Sequence, residues 1–167
     1  MEYVMANEAY LKLLRAQFDL LTAEEQAKPE NLYLCQPARA EYDARFGGMR
    51  EQKAIAALFR AARDRLYPAV TDGYYMMALA DTLEKMNIQI YEHYRVLADL
   101  LLEAARACLP EPGVMAQYAL MKGVRMGVLD PEKYLPAARR AFERTARTAE
   151  NADFYRLAQD EYGRCGQ

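Results

Sequence analysis

The sequence predicts an all-α fold of stacked antiparallel α/α hairpins, in one domain covering residues 1–167. Three observations carry this. Apolar residues recur at three- and four-residue spacing in eight stretches, and no segment shows the strict alternation of a half-buried strand. Proline- and glycine-containing breaks separate the stretches. Finally, the second, fourth and sixth stretches are apolar with few charges, whereas the third, fifth and seventh are amphipathic and rich in Arg and Glu. The breaks before the apolar stretches (Pro29-Glu30-Asn31, Val70-Thr71-Asp72-Gly73 and Glu111-Pro112-Gly113) recur about every 41 residues. One buried and one outward helix per period is the pattern of stacked helical hairpins. Helix-turn-helix solenoids and α/α toroids share it, and the period does not choose between them.

Each element has its own signals. The first helix is expected over about 3–21, with Leu11, Leu14, Phe18 and Leu21 on one face; Thr22-Ala23-Glu24-Glu25 then has the form of a capping box, soon interrupted by Pro29. The second, about 31–46, carries Leu34, Ala38, Tyr42 and Phe46, holds Pro37, and stops at Gly47-Gly48. The third, about 50–66, presents Ile55, Leu58, Phe59, Ala62 and Leu66 and ends before Pro68. The fourth, about 73–86, follows Thr71-Asp72-Gly73 and is expected to end at Asn87; the fifth, about 88–108, has Leu97, Leu101, Ala105 and Cys108 opposite a polar edge. The sixth, about 114–127, is apolar nearly all round. Asp130-Pro131 supplies an N-cap and a first-turn proline for the seventh, expected to run to about 148, and a weaker helix over about 152–162 closes the chain.

Composition narrows the function classes. The chain has 167 residues, 53% of them hydrophobic and 28% charged, enough for a real core. A formal charge of −2 with no basic run argues against a nucleic-acid partner. No apolar stretch is long enough for a membrane span, and Met1-Glu2-Tyr3-Val4-Met5-Ala6-Asn7 has no basic start or apolar block. Taken as complete, such a chain is expected in the cytoplasm, without membrane association. Cys35, Cys108 and Cys165 are scattered and show no CxxC spacing, and the lone His93 has no Cys or His one turn away. A metal site is therefore not expected, nor any other cofactor. Cys35 and Cys108 read as small core residues. His93 lies mid-helix, a poor place for a nucleophile's base.

Three segments add a family resemblance. Asp72-Gly73-Tyr74-Tyr75-Met76-Met77-Ala78-Leu79-Ala80-Asp81-Thr82-Leu83-Glu84 resembles "NGWYLMALVDTLE" of the unsaturated rhamnogalacturonyl hydrolases. The segment from Met115 to Asp130, followed by Tyr134-Leu135-Pro136-Ala137-Ala138, is similar to that family's "AMFAYALAKGIRLGYLD…YLPAA". Glu30-Asn31-Leu32-Tyr33-Leu34-Cys35-Gln36-Pro37 is similar to its "DTLYMCxP". The matches fall in family order on the three apolar helices. The resemblance implies a partial (α/α)6-toroid-like fold and the chemistry of the unsaturated uronyl hydrolases, in which a carboxylic acid protonates the enol-ether double bond of an unsaturated uronyl oligosaccharide.

The departures bear on activity. The chain is about half the family's length, and the long loops beside each matching segment are missing. Glu30 stands where the family has its principal Asp; "GRGNGW" survives as Thr71-Asp72-Gly73-Tyr74; Pro110-Glu111-Pro112-Gly113 replaces a pair of serines. The resemblance thus points to Glu30 and Asp72 as the candidate acids, with catalysis expected weak or absent; among the 13 tyrosines, Tyr33, Tyr74, Tyr75 and Tyr118 offer an aromatic wall for a sugar ring, with Tyr33, Tyr74 and Tyr118 as the substrate-binding candidates.

Read from the residues alone, Glu30, Asp72 and Gly113 sit at helix N-termini that favour an anion, yet Glu30 and Asp72 serve equally as caps. Tyrosines also fill helical interfaces with their hydroxyls at the rim. Asp81, inside an apolar helix, needs a partner, for which Lys122 and Arg125 on the next apolar helix are the candidates. Met76, Met77, Met115, Met121 and Met126 read as core, and Arg139, Arg140, Arg144 and Arg147 as a solvated helix face. The alternative to a hydrolase relative is a non-catalytic helical scaffold or interaction protein. Incompletely capped terminal hairpins are expected to favour a homodimer.

Overall fold

A computed structural model describes the backbone of residues 2–86 and 88–166 and the side chains from Glu8 onward within them. Its elements are α1 (Glu2–Asp19), α2 (Ala23–Gln26), α3 (Pro29–Phe46), α4 (Gln52–Leu66), α5 (Gly73–Lys85), α6 (Tyr91–Cys108), α7 (Val114–Arg125), α8 (Pro131–Arg144) and α9 (Ala152–Cys165). No strand occurs among the described residues.

Local chemistry sets the boundaries. The capping box at Thr22 forms: its hydroxyl accepts from the Glu25 N–H while the Glu25 carboxylate accepts from the Thr22 N–H. It starts a separate single turn, α2, ahead of α3. Pro29 occupies the first turn of α3, so that helix begins before residue 31, and Pro37 lies inside it. After Gly47 the chain turns through Gly48 and Met49, with φ of 70° and 61°. The buried Asp43 carboxylate holds this turn by accepting from the Arg50 and Glu51 N–H groups at 3.0 Å each. Asp72 caps α5 by accepting from the Tyr75 N–H, and Asp130 caps α8 by accepting from the Glu132 N–H.

Several other boundaries also differ from the periodicity. The first helix stops at Asp19, and α6 begins only at Tyr91. The seventh expected helix, α8, stops at Arg144 because Thr145 turns to extended backbone. Thr148 and Asn151 then exchange backbone-to-side-chain bonds ahead of α9, which runs on to Cys165. Asn87, expected as the end of the fourth helix, lies outside the described residues.

Helices α1, α3, α5, α7 and α9 pack each on the next; α4 packs on α6, and α8 on α7. The expectation that the fourth and sixth helices lie inside holds, since α5 is buried from Tyr75 to Ala80 and α7 from Ala116 to Gly123; the second, α3, buries one face through Leu32, Cys35, Ala38 and Ala40, while Leu34 and Phe46, expected on that face, are exposed. Phe59 of α4 and Leu97 and Leu101 of α6 close the core from the amphipathic side. The period seen in the sequence reappears as contact. Asp81 pairs with Lys122 and Glu84 with Arg125, in both cases 41 positions apart, and Arg63 pairs with Glu103 at a separation of 40. Tyr33 meets Tyr74 near the starts of α3 and α5, and Glu41 meets Lys85 nearer their ends. Gly73 allows α5 to approach α7 closely, since a Cβ there would lie 2.6 Å from the Met115 side chain.

Candidate functional site

The candidate site grows out of this row. Near the helix starts, the Tyr33 and Tyr74 rings lie 6.0 Å apart, and Tyr74 meets Phe154 of α9 edge-on at 5.6 Å. Two turns further along α5 comes Asp81. Tyr118 and Lys122 stand one turn apart on α7 and so share a face toward it. The Tyr118 hydroxyl donates to Asp81 Oδ1 at 2.6 Å, and Lys122 Nζ donates to the same oxygen at 2.7 Å. Lys122 Nζ also lies 3.1 Å from the Tyr118 hydroxyl and 3.2 Å from Glu84. Arg125 continues the network, bridging Glu84 at 3.4 Å and gripping Glu161 of α9 with two nitrogens at 2.9 and 2.8 Å.

Burial explains why the network must be complete. The Lys122 side chain is 6% exposed, Asp81 19% and Glu161 3%. Charges so placed are tolerated when paired and hydrogen-bonded. The same burial raises the Tyr118 hydroxyl well above the ordinary phenol value, reinforced by the charge of Asp81 and the bond to it. Tyr33 is raised too, by burial first and then by Asp81 and Tyr74. Burial alone would raise Glu84, but Lys122, Lys85 and Arg125 outweigh it and hold this carboxyl below its usual range. Tyr118 is thus a neutral donor, committed to Asp81. Asp81 Oδ2 accepts no hydrogen bond among the described residues.

The expected site residues divide accordingly. Tyr33 and Tyr74 touch, and Asp81 raises the hydroxyls of both Tyr33 and Tyr118, so the three tyrosines share one neighbourhood. Asp72 is a helix cap. Glu30, in the first turn of α3, is exposed and makes no hydrogen bond or ion pair with described residues. Of the two partners offered to Asp81, the structure selects Lys122. The sequence reading missed Glu84, Glu161 and Phe154 as members of this face. The 41-residue offset that aligns Asp81 with Lys122 also aligns Glu84 with Arg125, and would have found that pair.

Among the described residues no group of three His, Cys, Asp or Glu side chains could hold a metal ion. The three cysteines are free, and burial raises each thiol. Among the described residues no helix is long and apolar enough to cross a membrane. Comparison with known proteins finds no family model, curated protein or solved structure that matches the chain.

Proposed function

We propose that the chain is a catalytically silent relative of the unsaturated uronyl (rhamnogalacturonyl) hydrolases, a scaffold that binds rather than turns over. In this reading the packed row α1-α3-α5-α7-α9, with α4, α6 and α8 against it, is a stack of antiparallel hairpins forming part of a toroid. The observation that carries the loss of catalysis is the state of its carboxylates. A general acid must hold its proton within hydrogen-bond reach of the reacting atom and away from competing water. Asp72 is occupied by the Tyr75 N–H, Asp81 by Tyr118 and Lys122, and Glu30 is exposed. None is poised to deliver a proton.

A retained weak affinity for an unsaturated uronyl oligosaccharide is favoured by one feature, the Tyr33–Tyr74 pair in the neighbourhood of Asp81, whose Oδ2 accepts no hydrogen bond from a described residue. Three unpaired thiols suit a reducing compartment, in line with a cytoplasmic protein. Exposed Tyr10 and Leu13 on α1 and Leu20 just beyond it, at one end of the row, suit a homodimer. The deciding assay is the absorbance of the unsaturated uronyl group in pectin-lyase digestion products incubated with the purified protein. We expect no decay above background. Turnover that is lost in Glu30→Gln would restore the enzyme and refute this reading.

A further inference from the structure

A cleft of about 290 Å³ lies between the Pro110-Glu111-Pro112 connection and α8, and it shares no residue with the Asp81 network. Its polar groups are Glu111, Gln117, Arg140, Arg144 and Thr145. We propose that it is a binding site for a small hydroxymonocarboxylate.

Gln117 supplies the first argument. It is 1% exposed, and its Nε2 donates to the Pro112 carbonyl and to Thr145 Oγ1, both at 2.9 Å. The Pro112 oxygen can only accept. Thr145 spends its single hydroxyl proton on the Ala141 carbonyl at 2.7 Å, so it too can only accept from Gln117. The amide orientation is therefore fixed, and Gln117 Oε1 is left buried without a donor. A buried acceptor in that state is an exception that needs a partner, and a hydroxyl of a ligand in the cleft would be one.

The arginines supply the second, independent argument. Arg140 and Arg144 stand one turn apart on the wall formed by α8, and neither makes an ion pair or hydrogen bond with a described residue. Arg139 on the same helix, by contrast, covers the Tyr162 ring at 4.1 Å and donates to its carbonyl. Two free guanidinium forks on one wall match a planar carboxylate. Glu111, on the opposite side, brings the formal charge of the lining to +1. That suits a monoanion over a phosphate dianion, and Glu111 offers a second acceptor for a hydroxyl. The volume sits at the small end for ligand pockets, which fits a compact acid. The inference does not depend on whether the chain is catalytically silent.

The test titrates the full chain with glycerate, propionate and inorganic phosphate, read by calorimetry and by the ¹⁵N side-chain amide signal of Gln117. Glycerate should bind and shift that signal. Propionate, which has the carboxylate without the hydroxyls, should bind at least about tenfold more weakly. Arg140→Gln and Arg144→Gln, both at exposed positions and checked for folding by circular dichroism, should each weaken glycerate by about tenfold or more. The proposal is overturned if glycerate leaves the Gln117 signal unmoved, if propionate or phosphate binds as tightly as glycerate, or if the folded arginine variants bind unchanged.

Discussion

Lys122→Met tests whether the network between α5 and α7 is a structural keystone. The substitution keeps the length and apolar stem of the side chain, so the packing change is small. It removes the ammonium that lies 2.7 Å from Asp81 and 3.2 Å from Glu84. Among the described residues Asp81 then keeps only the Tyr118 hydroxyl, and Glu84 keeps Arg125 at 3.4 Å and Lys85 at 3.8 Å. Breaking a buried pair typically costs about 3–5 kcal/mol. Because Asp81 is 19% exposed, part of its charge can be rehydrated, and we expect a loss of about 3 kcal/mol. With an m value of about 2 kcal/mol per molar urea, the unfolding midpoint should fall by about 1.5 M, read by far-UV circular dichroism. The double variant Asp81→Leu/Lys122→Met leaves no orphaned charge and should recover much of the loss, a coupling well above about 1 kcal/mol. A fall of less than about 0.5 M in the single variant, or simple additivity in the double, would refute the reasoning.

Leu79, fully buried on α5, should cost about 2–5 kcal/mol when replaced by Ala, measured by urea unfolding; a loss under about 0.5 kcal/mol would remove it from the core. Gly73→Ala should destabilise by about 1–3 kcal/mol, seen as a lower thermal midpoint, because the new methyl would sit 2.7 Å from Met115 Cβ, an atom that cannot swing away. The Glu84 carboxyl is held below its ordinary 4.5, so the unfolded chain binds its proton first; the stabilisation is full above that value and is lost as pH falls through the folded one. Glu84→Gln should accordingly flatten the decline of urea stability between about pH 5 and pH 3. Burial pushes the Cys108 thiol up to about 11, so iodoacetamide at pH 8 should label it far more slowly in the folded chain than in urea, as read by peptide mass spectrometry.

How much of this was legible beforehand follows from the range of each interaction. Helices and their N-caps are local matters: Thr22, Asp72 and Asp130 act on N–H groups within three positions, and the sequence alone was enough to place those caps. The alternation of apolar and amphipathic helices, and the period of about 41, also determined which helices would be inside, because an all-round apolar surface has no other place to go. The misplaced end of α8 shows the limit. At Thr145, where the helix stops, the hydroxyl accepts from Gln117, 28 positions away, a contact that no local pattern announces.

The site divides in the same way. That Asp81 required a cation was readable from its apolar surroundings, whereas the choice of Lys122 over Arg125 was made by which side chain the packing of α5 on α7 brings within reach. The sequence also gathered acids and tyrosines as candidates without saying which would meet. Tertiary structure joined Tyr33 to Tyr74, tied Tyr118 to Asp81, and left Glu30 at the surface. Periodicity along one chain determines which face of a helix is buried. The pairing of polar groups across that face depends on axial offsets of a few ångströms between helices, and those are set only when every neighbouring side chain has packed.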